Sequence, residues 1–380
     1  MEKLPNNGRF QTCMNIGGNY LKPTEFVKMK NLYCKTVLFE LPFLVLLLEL
    51  CCCSNPHSNS EKAILPELTA AHDTSENPAF NLWTAHGVYA AFYSPDGKHI
   101  AVGGADGLIE LWNADTFETI CQMHGHTRSA NTTLFSPDGK YIISGSGDST
   151  VRIWEVQNCR LTATLHQHYN ETYTTLYSNS GKYFASTSAD STVIIWDAQT
   201  KQPVKQLRGH TGAVYFAWFS GNEQNIVTGA RDGQVILWNV ETGKPVRTFS
   251  GHAGAVYCVV MSANDSLIVS GSGDGTAKLW ETKSGKNLQT YYGAKDKILV
   301  AMFSSDEKSV IASSGDTFIR QWDAKTGVLQ QVFSGHKGIV CTIHNSPDGK
   351  RLLSGGMDGT VKEWNLENAK LLRSKTLYQK

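Results

Sequence analysis

The sequence has little charge and almost no charge imbalance. Charged residues make up 18% of its 380 positions, and 35 Lys and Arg against 34 Asp and Glu leave a formal net charge of +1. Such a chain offers no basic field to a polyanion, so we do not expect nucleic acid as a partner. Gly, Ser and Thr stand where charges usually would, and this composition favours strands and turns over helices.

Paired cysteine motifs are also absent. None of the nine cysteines forms a CxxC motif, and only Cys121, Cys159, Cys258 and Cys341 lie beyond residue 53. These four are far apart and occupy different places in the repeat described below. We therefore predict neither a disulfide framework nor a zinc site, and expect reduced thiols and no cofactor.

No apolar run is long enough to span a bilayer. The stretch TVLFELPFLVLLLELCCC at 36–53 has an apolar run over 41–48 that contains Pro42 and is flanked by Glu40 and Glu49. If translation starts at Met29 rather than Met1, the stretch resembles a lipoprotein signal. Palmitoylation of Cys51, Cys52 and Cys53 is a second route to a membrane, and a poorly ordered tail is the third interpretation. We assign 1–53 as an N-terminal extension and 54–78, rich in Ser, Asn, Pro and Glu, as a linker. The location is then either cytoplasmic or at a membrane contacted through 36–53.

A sequence motif repeats with a fixed period after this N-terminal region. Tryptophans occur every 42 residues, at Trp112, Trp154, Trp196, Trp238, Trp280, Trp322 and Trp364. An aspartate lies six residues before each of them, and a histidine precedes the aspartate in six copies, the sixth unit having Ala294 instead. Self-similarity at this period indicates a repeat protein.

Each unit alternates short β-prone runs with turn residues. The fourth unit reads AVYFAWFS, NIVTGA, QVILWNV and PVRTFS, separated by GNEQ, RDG and ETGK, which predicts four antiparallel strands. Ser-Pro-Asp-Gly at 94–97, 136–139 and 346–349 suits tight turns. Seven such sheets must stack on one another to bury their apolar faces, and closing them into a circle protects their edges.

Residues 86 to 378 resemble the WD40 family. The resemblance is carried by Gly-His at 125–126, 209–210, 251–252 and 335–336, by the spacing from Asp to Trp, and by Trp-Asp at 196–197 and 322–323. It implies an all-β, seven-bladed propeller over 79–380. It also implies a monomeric ring that acts as a non-enzymatic scaffold for other proteins or peptides. The alternative is a propeller enzyme with its site in the central channel.

The repeated His, hydroxyl and Asp residues look like hydrolase triads, but an enzyme gains nothing from five of them around a ring. The resemblance implies that each set, together with Trp, is a buried structural hydrogen-bond chain. The sets are His126, Ser144, Asp148, Trp154; His168, Ser186, Asp190, Trp196; His210, Thr228, Asp232, Trp238; His252, Ser270, Asp274, Trp280; and His336, Ser354, Asp358, Trp364.

Two units depart from this pattern. Unit one has Val102 in place of the hydroxyl residue, and unit six has Ala294 and Ala312, so Asp316 is expected to depend on water or backbone donors. We expect blade six to be the first to open. For ring closure we favour 79–84 as the outer strand of blade seven, with 370–378 as the alternative.

The expected partner surface is the channel mouth, where the family typically binds peptides. Tyrosine is frequent five residues after the repeat His, and small residues surround one Arg and one Met before the repeat Asp. Tyr and Arg are common interface anchors. The alternative is that the tyrosines only pack between blades. The predicted partner-binding residues are Tyr89, Asn131, Tyr173, Tyr215, Arg231, Tyr257, Leu299 and Met357.

Overall fold

The computed structural model describes residues 86–378, and these form seven four-stranded antiparallel sheets. Each sheet uses four strands that are consecutive in the chain, and we number the sheets as blades one to seven. The first strand of each blade contacts the first strand of the next, and the first strand of blade one also contacts that of blade seven. The predicted seven-bladed propeller is thus confirmed. No helix in this part of the chain is long and apolar enough to cross a bilayer.

The strand bounds are regular. Blades one to four contain β1 Val88–Tyr93, β2 His99–Gly104, β3 Ile109–Asn113, β4 Thr119–Met123; β5 Ala130–Phe135, β6 Tyr141–Ser146, β7 Val151–Glu155, β8 Arg160–Leu165; β9 Thr172–Tyr177, β10 Tyr183–Ser188, β11 Thr192–Asp197, β12 Pro203–Arg208; β13 Val214–Phe219, β14 Asn225–Ala230, β15 Val235–Asn239 and β16 Pro245–Phe249. Blades five to seven contain β17 Val256–Met261, β18 Leu267–Ser272, β19 Ala277–Glu281, β20 Asn287–Tyr291; β21 Ile298–Phe303, β22 Ser309–Ser314, β23 Ile319–Asp323, β24 Leu329–Phe333; β25 Val340–Asn345, β26 Arg351–Gly356, β27 Thr360–Asn365 and β28 Leu371–Thr376.

The core lies between blades rather than within them. One buried cluster joins Val227 and Val235 of blade four to Val256, Ile268 and Trp280 of blade five. The seven repeat tryptophans are at most 1% exposed. Because an isolated four-stranded sheet cannot bury both faces, stacking on its neighbours supplies the apolar burial that stabilises each blade.

The tight turns have the predicted chemistry. Gly97, Gly139 and Gly349, which end the three Ser-Pro-Asp-Gly turns, have φ of +72°, +70° and +68°. A side chain with a Cβ is strained in this left-handed region, so glycine is the residue that these hairpins need.

The ring closes differently from our expectation. The outer strand of blade seven is β28, which pairs with β27, so the assignment of that place to 79–84 is wrong. Residues 79–84 lie outside the described part, as do the segments 1–53 and 54–78 and the lipidation candidates Cys51 to Cys53. The Arg373 guanidinium donates to the Ala114 carbonyl at 2.6 Å, and the Lys375 ammonium donates to the Phe117 carbonyl at 2.8 Å. Side chains of β28 thereby attach blade seven to blade one, which explains why this strand takes the place.

A second set of contacts crosses the same seam from Tyr93 of β1 to blade seven. The Tyr93 hydroxyl donates to the carboxylate of Glu363, a residue that is only 2% exposed, and Arg373 donates to that carboxylate at 2.7 Å. The Tyr93 backbone N–H donates to His344 Nδ1 at 3.2 Å, so this nitrogen is unprotonated. Burial lowers the pKa of His344 to about 4.

Because of His344, we expect the contact between blades one and seven to lose stability in acid. The pKa of His344 in the folded state lies below the unfolded value of about 6.5, so the folded protein binds fewer protons and loses stability as pH falls from about 6.5 to 4. We expect His344→Asn, which keeps an acceptor but does not titrate, to have a shallower decline in unfolding free energy between pH 7 and pH 4.5. Urea unfolding at both pH values measures this, and equal slopes for the two proteins would rule out His344 as the cause.

One cysteine expectation is also wrong. Cys121 in β4 and Cys159 just before β8 form a disulfide with a Cα–Cα distance of 6.5 Å, which links the rims of blades one and two. Cys258 and Cys341 are free thiols, as expected, and burial raises the pKa of each to about 12. The two bonded cysteines are 38 residues apart in sequence, and the stacking of neighbouring blades brings them together.

Candidate functional site

The repeated polar residues form one buried chain in each of blades two, three, four, five and seven. His Nδ1 lies 2.8 to 3.0 Å from the Asp carboxylate, and His Nε2 lies 2.7 to 2.8 Å from the hydroxyl oxygen. The Trp Nε1–H donates to the same oxygen at 2.8 to 2.9 Å. Each chain joins the loop before the first strand to the second strand, the following turn and the third strand.

The chemistry of the carboxylate sets the direction of these hydrogen bonds. An ionised Asp can only accept, so His Nδ1 carries a proton and donates to it. In a neutral imidazole Nε2 then accepts the hydroxyl proton, while the hydroxyl oxygen accepts from Trp. Burial alone would raise the pKa of Asp148, but hydrogen bonds from His126 and Thr150 outweigh it and hold the pKa well below its usual range. The five hydroxyl residues are 0% exposed. A substrate cannot reach them, so the arrangement supports strand cohesion rather than nucleophilic attack.

Blade one replaces its missing hydroxyl with a carboxylate. Trp112 Nε1–H donates to Glu110 at 2.6 Å, and Gln122 donates to the other carboxylate oxygen at 2.7 Å. Asp106 accepts from the Tyr378 hydroxyl at 2.8 Å, and the Tyr378 ring packs on His86 with a centroid distance of 4.6 Å. The C-terminal residues therefore complete the network of the first blade.

Blade six replaces its missing histidine with a guanidinium. Arg320 forms a two-pronged ion pair with Asp316 at 2.9 and 2.7 Å and also donates to Ser314. The Arg320 and Asp316 side chains are each 9% exposed. Asp316 also accepts the Lys295 backbone N–H at 2.8 Å, so the expectation that it depends on water or backbone donors is only partly right. Trp322 donates to the Tyr292 carbonyl at 3.0 Å.

Both substitutes occupy the same repeat position, four residues after the aspartate. Blade one lacks an acceptor for its Trp and has Glu110 there, whereas blade six lacks a donor to its Asp and has Arg320. The other blades carry Arg152, Ile194, Ile236, Lys278 and Lys362 at this position. The anionic Glu110 thus replaces a lost hydrogen-bond acceptor, and the cationic Arg320 replaces a lost hydrogen-bond donor.

The predicted partner-binding tyrosines lie at irregular points of the inner strands. Tyr89, Tyr215 and Tyr257 are the second residues of β1, β13 and β17, and a register shift marks each of these positions. The register of β9 shifts likewise beyond Thr172, around Tyr173. A β-bulge inserts an unpaired residue and redirects its side chain. The same place in all seven inner strands therefore presents a side chain that does not follow the regular alternation.

Three of these tyrosines form a row across blades three to five. The rings of Tyr173 and Tyr215 are 5.1 Å apart between centroids, and so are those of Tyr215 and Tyr257. Tyr215, in the middle, is 6% exposed, and its hydroxyl has no hydrogen-bond partner among residues 86–378. A Cβ added to Gly273 would lie 3.4 Å from the Tyr257 ring. The absence of a side chain at Gly273 therefore leaves room for that ring.

Glu171, immediately before β9, belongs to the same surface. Burial raises the pKa of Tyr89 and of Tyr173, and the Glu171 carboxylate adds to the rise in both. This carboxylate is therefore within electrostatic reach of tyrosines in blades one and three. Burial also raises the pKa of Glu171 itself, and Arg128, 3.7 Å away, and a hydrogen bond from Tyr173 oppose that rise. We call the surface formed by Tyr89, Glu171, Tyr173, Tyr215 and Tyr257 the mouth.

The other predicted residues occupy less uniform environments. Asn131 and Leu299 are half-buried at the corresponding places of β5 and β21, Arg231 is exposed, and Met357 is 8% exposed. Arg231 acts electrostatically on both Tyr173 and Tyr215. The sequence prediction omitted Glu171 from the site. Its position directly before an inner strand that begins with Thr-Tyr was the available signal.

The described residues contain no group of three or more His, Cys, Asp or Glu side chains that could hold a metal ion.

Comparison with family models matches the description "WD domain, G-beta repeat" seven times, at 79–113, 117–155, 159–197, 201–239, 243–281, 285–323 and 327–365. No curated protein matches the chain.

Proposed function

Because the chain belongs to the WD40 family, whose propellers generally mediate protein–protein interaction, we propose that it is a non-enzymatic scaffold that binds a partner peptide at the mouth. Family membership concerns the fold, and a function needs a site on it. The row of tyrosines and the neighbouring carboxylate supply the chemistry of such a site. Aromatic side chains bury large areas and lose little conformational freedom when they bind.

The observation that carries the proposal is the buried, unpaired hydroxyl of Tyr215 between two other tyrosines. A buried polar group without a partner costs roughly 1–3 kcal/mol, and a tyrosine that only packed between blades would be served equally well by phenylalanine. A ligand that reaches this hydroxyl would supply the missing hydrogen bond. The inter-blade packing alternative gives the hydroxyl no direct partner among the described residues.

The test is a double substitution in the row. We expect Tyr215→Ala with Tyr257→Ala to reduce partner capture by the full chain at least about tenfold, because loss of two interface anchors at about 1 kcal/mol or more each corresponds to that factor. Affinity capture followed by mass spectrometry measures the loss. Thermal unfolding must show that the variant remains folded at the capture temperature.

Tyr141 and Tyr292 provide the matched control. They are 38% and 69% exposed and lie outside the mouth, so replacing both by alanine should leave capture unchanged. Capture that the two pairs reduce equally would contradict the proposal. Turnover of a substrate that a single acid or His replacement abolishes would instead support the channel-enzyme alternative.

A further inference from the structure

We propose that the mouth selects a cationic side chain of its partner, a primary ammonium or a guanidinium, and that Glu171 is the residue that determines this specificity. The inference rests on the proposed peptide-binding function and adds the chemistry of the ligand. It follows from which polar atoms at the mouth lack partners.

The unpaired atoms next to β9 are acceptors. The Glu171 side chain is 12% exposed, and its Oε2 is enclosed without a hydrogen-bond partner among the described residues. The Asn131 amide nitrogen donates to the Thr172 carbonyl at 2.9 Å, which leaves the Asn131 Oδ1 enclosed and also without a donor in this part of the chain. These two enclosed oxygens, at Glu171 and beside Thr172 where β9 begins, can accept N–H or O–H groups from a ligand.

Arg128 does not meet this requirement. Its guanidinium nitrogen is 3.7 Å from Glu171 Oε1, beyond hydrogen-bonding distance, and its side chain is 55% exposed. An exposed ion pair at this distance contributes little. A ligand cation could hydrogen-bond to Oε2 without displacing Arg128 from the other oxygen.

The tyrosines add a surface suited to a cation. Tyr173 lies two residues after Glu171 and hydrogen-bonds to its carboxylate, and the Tyr173 ring continues into the row with Tyr215. The faces of tyrosine rings attract ammonium and guanidinium groups, and the attraction grows as the site is desolvated. The unpaired Tyr215 hydroxyl can accept a further hydrogen bond.

Other ligand classes fit less well. A carboxylate or phosphate would bring acceptors to atoms that are already acceptors and would face Glu171 with like charge. An apolar side chain would leave Glu171 Oε2 and Asn131 Oδ1 without donors in a drier environment, which costs more than in the free protein. Arg231 and Lys297 also lie near the mouth, but each has an interaction within the chain.

The experiment uses three fluorescein-labelled peptide mixtures, randomised at six positions around a fixed central Lys, norleucine or Glu. Fluorescence anisotropy of the full chain is expected to show at least about tenfold tighter binding of the Lys mixture than of the norleucine mixture. Glu171→Gln, which keeps the shape of the side chain, should reduce this preference to less than about twofold. Arg128→Gln is the matched control and should keep the preference.

Equal affinities for the Lys and norleucine mixtures, tighter binding of the Glu mixture, or an unchanged preference in folded Glu171→Gln would overturn the inference. If one of these results is obtained and binding still depends on Tyr215 and Tyr257, the peptide-binding proposal remains in place. If no mixture binds in a tyrosine-dependent way, the cation inference fails, and the capture experiment decides the scaffold proposal separately.

Discussion

Replacement of Arg320 by leucine is expected to lower the free energy of unfolding by about 3–5 kcal/mol, the usual cost of removing one partner from a buried ion pair. The guanidinium makes two hydrogen bonds to Asp316, and both side chains are 9% exposed. Burial alone would raise the pKa of Asp316, but the bonds from Arg320 and the Lys295 N–H hold it at about 2. Urea unfolding at pH 7 measures the loss.

Two comparisons make this result specific. Lys278 has the same repeat position in blade five, where His252 already pairs with the aspartate, so Lys278→Leu should cost less than about 1 kcal/mol. Adding Asp316→Asn to Arg320→Leu should recover part of the loss, because no uncompensated carboxylate remains. A loss in Arg320→Leu no larger than in Lys278→Leu would mean that Arg320 does not substitute for the histidine.

Removal of the disulfide is expected to be the second largest effect. Replacing Cys121 and Cys159 together by alanine should lower the free energy of unfolding by about 2–4 kcal/mol, since the bond closes a loop of 38 residues in the unfolded chain. Denaturant unfolding of the double variant, and of the wild type with and without reductant, measures this. Identical stability of the oxidised and reduced wild type would show that the bond does not contribute.

The backbone offers a sharper control for the same bond. Cys159 has a φ of +59°, and Gly243, Gly285 and Gly327 occupy this place in blades four to six with φ from +70° to +78°. Combining Cys121→Ala with Cys159→Gly should therefore be about 1 kcal/mol more stable than the alanine pair, because glycine adopts the left-handed conformation without strain. The opposite order would contradict this explanation.

The fold could be predicted from period and turn chemistry. An interval of 42 residues between tryptophans, four β-prone runs per interval and three Ser-Pro-Asp-Gly turns were enough for seven four-stranded sheets. Ring closure was not decided in this way. Both 79–84 and 370–378 resemble an outer strand, and the bonds from Arg373 and Lys375 to blade one, which only the folded ring reveals, distinguish β28.

The features that sequence reasoning missed depend on side-chain contacts that the repeat pattern does not display, some within one blade and some between blades. Glu110 and Arg320 look like ordinary strand residues until one sees which group in their blade lacks a partner. The pairing of Cys121 with Cys159 depends on the stacking of neighbouring blades. Lys205 and Gly243 occupy the repeat positions of Cys121 and Cys159, and they also approach each other between neighbouring blades. Aligning the two cysteines with the repeat would therefore have indicated that they lie close together.

We propose that two separate sets of residues serve stability and binding: the buried polar chains hold the strands of each blade together, and the mouth binds the partner. Partner capture and thermal unfolding of Arg320→Leu and of the Tyr215→Ala and Tyr257→Ala pair, measured side by side at a temperature where both are folded, test it most directly. We predict that the arginine variant unfolds earlier but captures normally, whereas the tyrosine pair, which also loses buried ring packing, loses capture at a temperature where it is still folded. Full capture by the tyrosine pair together with lost capture by folded Arg320→Leu would contradict the claim.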